Sequence, residues 1–231
     1  VPLGCARRRA GGRRAPWPLP CAAAGGGGLG GRRTGGHGDA MAAASAGPAV
    51  DAEQVGFHRR ATSATLVLSG PGQAVASRRG IPRGIAVGKA PCPCRCDGTR
   101  GFTLRVRSAD TSHFSSGLWV GLTATPPAAL SVTSAQGSVY DFAADVPDSV
   151  VVGGEGVLWN GQECLPSSWD TGQLADGDKV GVVLSEEGEL RACVNGRTLV
   201  PPSQAFVPLD CPLYPLVELR GATQSVELLP P

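Results

Sequence analysis

From Phe57 onward the chain is cut into short runs rich in Val, Leu and Thr, punctuated by Gly, Pro, Asn and Asp. No segment sustains an apolar 3.6-residue period over three turns. That pattern argues against a helical bundle and for strands. The sharpest case is Phe102-Thr-Leu104-Arg-Val106-Arg107, whose apolar residues fall at every second position, so they share one face while Thr103, Arg105 and Arg107 take the other. Leu118–Thr123, Val150–Val152, Leu216–Leu219 and Val226–Leu229 read as further strands. Ala64–Leu68 and Gln73–Ser77 flank the turn Ser69-Gly-Pro-Gly72, and Lys179–Leu184 and Glu189–Val194 flank Ser185-Glu-Glu-Gly188 in the same way. Asn195-Gly196 is the strongest short-range hairpin signal, because both residues tolerate positive φ. One helical turn is expected near Ser168–Leu174. A sheet with an apolar face and no helices to cover it needs a second sheet. The expectation is an all-β, two-sheet antiparallel sandwich of about ten or more short strands, with end loops free to vary and bind.

The first 50 residues are different. They hold seven Arg against the single acid Asp39, a net charge of +6, while residues 51–231 carry −4. Runs such as Ala22–Gly31 and Met41–Pro48 offer almost no large apolar side chain, so burial could not offset chain entropy and residues 1–54 are expected to be disordered. Met41 opens an ordinary Ala-rich N-terminus, which makes residues 1–40 read as a gene-model extension or a fragment edge; the rival reading is a basic tail for anionic partners. The folded part is then residues 55–230. Its mild acidity argues against nucleic-acid binding, which needs a concentrated basic face. Eight cysteines scatter through the chain without a secretory signal, and thiols rather than disulfides are expected. Ala15–Ala24 is too short and too proline-rich for a signal peptide, and no apolar run approaches the ~20 residues of a membrane helix, so a cytoplasmic location is expected.

In order along the domain stand Phe57-His58-Arg59, Ala64–Leu68, Val75-Ala-Ser-Arg78-Arg79, Phe114-Ser-Ser-Gly-Leu-Trp119-Val-Gly121-Leu-Thr123 and Gly156-Val-Leu-Trp159-Asn160-Gly161. Leu174-Ala-Asp176-Gly-Asp178-Lys-Val-Gly181, Leu190–Gly196, Tyr214–Gly221 and Val226-Glu-Leu228 follow. This series, over residues 56–229, resembles the neuralized homology repeat, a β-sandwich relative of SPRY-type domains with a concanavalin-like jelly roll. The Gly156–Gly161 block is most similar to the repeats of neuralized-like protein 4. Phe114 stands where a Trp is usual, Arg220 where a Tyr is usual and Ile81 where a Phe is usual, and Cys92–Cys96 looks like an insertion. The resemblance implies a protein-binding module that recruits a target as the substrate-recognition part of a ubiquitin ligase, acting in Notch-ligand turnover or centriole organisation. The alternatives are a centriolar scaffold repeat without a ubiquitin role, located at the centrosome, and a lectin-like sandwich. A galactoside site would show a His-x-Asn-Pro-Arg strand, which the sequence lacks.

Catalysis finds little support. His58 and His113 are the domain's two histidines; Ser115 and Ser116 lie near His113, but no nucleophile elbow surrounds them. Cys92, Cys94 and Cys96 could offer three thiolates, yet a closed zinc site needs four ligands and no second pair follows. No cofactor is expected, and any ligase chemistry would belong to a separate domain or subunit. Asp176, Asp178, Glu186, Glu187 and Glu189 are expected to shape turns. For partner binding the candidates are Arg78 and Arg79, which could meet an acidic or phosphorylated segment, and Trp159, Asn160 and Trp169, which read as loop residues. Ordinary packing is the commoner fate of a tryptophan. Trp119 is either core on a two-sided strand or an exposed anchor; the alternation leaves both open.

Overall fold

A computed structural model describes residues 55–80, 83–95, 97–112, 116–130, 133–134, 137–138 and 140–231. The expectations for residues 1–54, and those resting on Ile81, Cys96, His113, Phe114 and Ser115, lie outside the described residues. Strands are numbered along the chain. One sheet runs, in spatial order, β1 (Phe57–Thr62), β4 (Gly84–Gly88), β15 (Tyr214–Leu219), β6 (Trp119–Thr123), β9 (Ser149–Gly153), β10 (Glu155–Trp159) and β11 (Cys164–Asp170). The other runs β14 (Arg197–Gln204), β13 (Glu189–Val194), β12 (Lys179–Leu184), β5 (Arg100–Ala109), β16 (Thr223–Leu228), β3 (Val75–Arg78) and β2 (Leu66–Ser69). Every pairing within the two sheets is antiparallel. β7 (Thr133–Ser134) and β8 (Gly137–Ser138) pair with each other as a small separate ribbon. The protein is an all-β, two-sheet antiparallel sandwich.

Register explains the core. In the first sheet Ala86, Val217, Val120, Val152 and Leu158 fall side by side across five strands and all face inward. In the second, Leu104 pairs with Val180 on one side and Leu228 on the other, so the alternating β5 lies at the middle of the facing layer. A one-residue slip would turn these rows to solvent, so the apolar pattern itself selects the register. The expected hairpins form: β2 pairs with β3, β12 with β13, and β13 with β14 through Asn195 and Gly196, at φ 52° and 81°. The expected helical turn shrinks to a 3₁₀ turn at Thr171–Gln173, because Ser168–Asp170 belong to β11.

The first sheet is apolar on its outer face as well. Val87, Leu216 and Val151 form a second cluster with Leu130, Ala143 and Val146, which come from the connection between β6 and β9. Gly121 lies between Leu216 and Val151 in this row, and a methyl group there would overlap the Val150 carbonyl oxygen. Trp119 resolves as a residue of a two-sided strand: Leu118 and Val120 enter the main core while its indole packs half-buried on the outer cluster.

Leu104, fully buried between two partner strands, is the position where truncation should be felt most. Leu104→Ala is expected to cost about 2–5 kcal/mol by urea unfolding with an unchanged m-value, while Arg107→Ala on the solvent face should change stability by less than about 1 kcal/mol.

Candidate interaction surface

Two of the tryptophans expected on loops lie on strands. Trp169 is 3% exposed in the main core, so it is not an exposed anchor; its place on β11 turns it inward. Trp159 ends β10 and packs half-buried on the outer cluster. Asn160 is also buried, at 3% exposure, and its side-chain oxygen accepts from the Gln162 and Glu163 N–H groups at 3.0 and 2.9 Å. It closes the β10–β11 turn from within and offers little to a partner. The structure does not bring these three together with Arg78 and Arg79: Trp159 and Asn160 lie at the far end of the β10–β11 hairpin from Asp170, on the opposite side of the sandwich from β3.

The arginines stand at the end where β4 begins and β15 ends. Arg78 donates from Nη2 to the Gly221 carbonyl at 2.7 Å, tying β3 to the β15–β16 turn, and desolvation lowers its pKa from the ordinary guanidinium value. Arg79 is exposed. Its N–H donates to the Thr65 carbonyl at 2.9 Å, and the Thr65 hydroxyl donates to the Arg83 carbonyl at 2.8 Å, so one residue fixes the backbone of both arginines. The Arg83 guanidinium lies 4.3 Å from the centroid of the Phe142 ring, with Arg220 at 6.0 Å. Both are within cation–π range. Arg83 also meets Asp141 at 3.6 Å, an ion pair with both partners open to solvent. Arg83, Arg220 and Phe142 thus gather on one rim, with Arg78 tied to the adjoining Gly221 turn and Arg79 next to it in the chain.

Phe142 is 40% exposed, yet its backbone is firmly held. Asp145 Oδ2 accepts from the Phe142 N–H at 3.0 Å, and the Asp145 N–H donates to the Phe142 carbonyl at 2.9 Å. The next residue is clamped at both ends: the Ala143 N–H donates to Glu218 Oε2 at 2.8 Å and the Ser149 hydroxyl donates to the Ala143 carbonyl at 3.2 Å. Glu218 is fully buried on the outer face of β15, between its register partners Ile85 and Trp119. Its Oε1 has no hydrogen-bond partner among the described residues. Burial raises its pKa from the ordinary glutamate value; the Ala143 N–H, Arg220 and Arg83 oppose that shift without reversing it, and Asp145 adds to it.

Elsewhere, a polar cavity of about 440 Å³ opens where edge strands β11 and β14 meet, lined by Trp169, Asp170, Asp178 and Arg197 among others. Its carboxylates serve the loops. Asp170 accepts from the Gly172 N–H, and Asp178 accepts from the Ala175 N–H and the Asn195 side chain, at 2.8–2.9 Å. Cys92 is buried, its thiol pushed up to about 12 mainly by desolvation, whereas Cys94 is exposed. No three His, Cys, Asp or Glu side chains among the described residues are grouped to hold a metal ion. No helix among them is long and apolar enough to cross a membrane.

The family model described as Neuralized matches residues 57–230. The chain is similar to the neuralized NHR1 domain of Drosophila melanogaster in its crystal structure, with 12% identity and a TM-score of 0.54 over 75% of this chain and 96% of that one. The solution structure of the NHR domain in Drosophila Neuralized gives 13%, 0.52, 76% and 90%. A human SPRY domain gives 18%, 0.49, 72% and 95%. For the two Drosophila domains, at these identities, the likeness concerns the fold.

Two outcomes follow from the buried groups. Glu218 keeps its proton in the folded state after the unfolded chain has lost it. Its contribution to stability should therefore fall as pH rises from 4.5 through the folded-state pKa. Glu218→Gln keeps an acceptor for Ala143 and cannot ionise, so urea unfolding at stepped pH should show that decline flattened relative to wild type; an unchanged slope would assign it elsewhere. Brief iodoacetamide treatment of the native protein should alkylate Cys94 and leave Cys92 unmodified until denaturant is added, read by peptide mass spectrometry.

Proposed function

Because the chain belongs to the Neuralized family through a domain spanning residues 57–230, we propose that it recruits a partner protein as the substrate-recognition part of a ubiquitin ligase. Domains of this type generally serve protein interaction. The observation that carries the reading is Phe142, an aromatic ring held open to solvent by bonds on both sides of its backbone and lined by Arg83 and Arg220. Aromatic and arginine side chains dominate the energetics of protein interfaces, and a pre-ordered ring gives up little entropy on binding. Arg78 and Arg79 belong to the same rim and serve it, Arg78 as the strut that holds the Gly221 turn. Trp159, Asn160 and Trp169 contribute through packing. Transfer of ubiquitin itself is the work of another domain or subunit.

A second reading, a scaffold repeat of a centriolar protein, makes the same use of a protein-binding domain without a ubiquitin role. Proximity labelling in cells with the full chain separates the two. The ligase reading expects ligase subunits among the labelled proteins, and at least one labelled partner whose ubiquitin conjugates fall when the chain is depleted. Labelled centrosomal proteins whose ubiquitin conjugates do not change would replace it with the scaffold.

A further inference from the structure

The chemistry of the rim says more about the partner than the fold does. Residues 51–231 carry a net charge of −4, yet Arg78, Arg79, Arg83 and Arg220 gather at one end of the sandwich. Three of the nearby acids are each held by a hydrogen bond from the backbone. Glu218 is fully buried and held toward its neutral form, Asp145 is turned onto the Phe142 N–H, and Asp110, beside the β15–β16 turn, accepts from the Ser112 N–H at 3.0 Å. Only Asp141 forms an ion pair there among the described residues, at 3.6 Å from Arg83, and it is the more exposed of the two. Solvent-exposed pairs of that kind are weak, typically ~0–1 kcal/mol, and easily exchanged. Asp141 is thus a displaceable carboxylate already seated where a ligand's carboxylate would sit.

We infer that the rim of Arg83, Phe142 and Arg220 docks an extended acidic segment of a partner protein, with an apolar side chain on the Phe142 ring and Asp or Glu carboxylates on the two arginines. This rests on the protein-binding reading above and narrows it. The arginines share an aromatic ring, an arrangement that suits singly charged groups spaced along a chain around an apolar residue. A nucleic acid would also contact the rim, but the net negative charge of the remaining domain repels a long polyanion. Local positive potential on an otherwise acidic body steers an acidic segment to this end and away from the rest.

The test pans a display library of random unphosphorylated dodecapeptides against the full chain, with Arg83→Glu, Arg220→Glu, Phe142→Ala and a charge-matched control, Arg95→Glu, at the opposite end of the sandwich. Thermal melts select the variants that keep the wild-type fold. The expected result is enrichment of peptides that pair Asp or Glu with a large apolar residue. The best of them, made synthetically and labelled with fluorescein, should bind about tenfold more weakly to each rim variant, while Arg95→Glu leaves Kd unchanged and raising salt weakens binding. Enriched peptides without acidic residues, or equal affinity for the folded rim variants and wild type, would overturn the inference while leaving protein binding intact. The inference also falls if a phosphorylated copy of the peptide, or single-stranded DNA, binds and the acidic peptide does not. No enrichment by the wild-type chain would overturn the inference and count against the protein-binding reading as well.

Discussion

The middle strands of the first sheet have no polar face. Their inward row of Ala86, Val217, Val120, Val152 and Leu158 is matched on the reverse by Val87, Leu216 and Val151, so they must be covered twice. The second sheet supplies one cover. The connection from β6 to β9 supplies the other, bringing Leu130, Ala143 and Val146 down onto the reverse side. A connection between adjacent antiparallel strands could be a short hairpin; here it is long because it has a surface to bury. Most of what distinguishes the rim follows from that requirement, since Asp141 and Phe142 sit on the same covering segment as Ala143.

Glu218 shows how the cover is fastened. A buried carboxyl with one oxygen unpartnered is costly, and an apolar residue of similar volume would serve the sheet better. What the carboxyl provides is a hydrogen-bond acceptor at one point on an otherwise featureless apolar face. Apolar contacts alone would let the segment slide. The bond from the Ala143 N–H to Glu218, with the Ser149 hydroxyl on the Ala143 carbonyl, sets the segment's position along the strand. Phe142 is the residue immediately before this clamp, so its ring emerges at the end of β15 beside Arg220. A buried polar group is here traded for specificity of placement.

Much of the sandwich was legible because its signals are local. The alternation of Phe102–Arg107 became the central strand β5, and Asn195-Gly196 became the β13–β14 turn, each decided within a few residues. Trp159 and Trp169 were misplaced onto loops for the opposite reason. Asn160-Gly161 and Pro166 carry turn chemistry, but the long β10–β11 pairing tolerates a bulge and keeps both tryptophans in strand. The rim was half-visible: Arg78 and Arg79 are neighbours in sequence, whereas Arg83, Phe142 and Arg220 come from three distant segments. Arg220 did stand out, as a departure from the pattern the rest of the chain resembles, but only the outer cover reveals which aromatic ring it approaches.

That the rim is assembled from separate connections bears on how such a surface can differ between chains with one fold. The inward rows are constrained by register and by close packing, where a change of one side chain disturbs several neighbours. Arg83 and Arg220 lie just outside the paired residues of β4 and β15, and Asp141 and Phe142 lie in the connection between β6 and β9. Glu218 supplies the anchor from beneath and is insulated from solvent, and its bond to the Ala143 N–H involves none of the rim side chains. Separating the fastening group from the recognising groups lets a rigid sandwich carry a variable binding end.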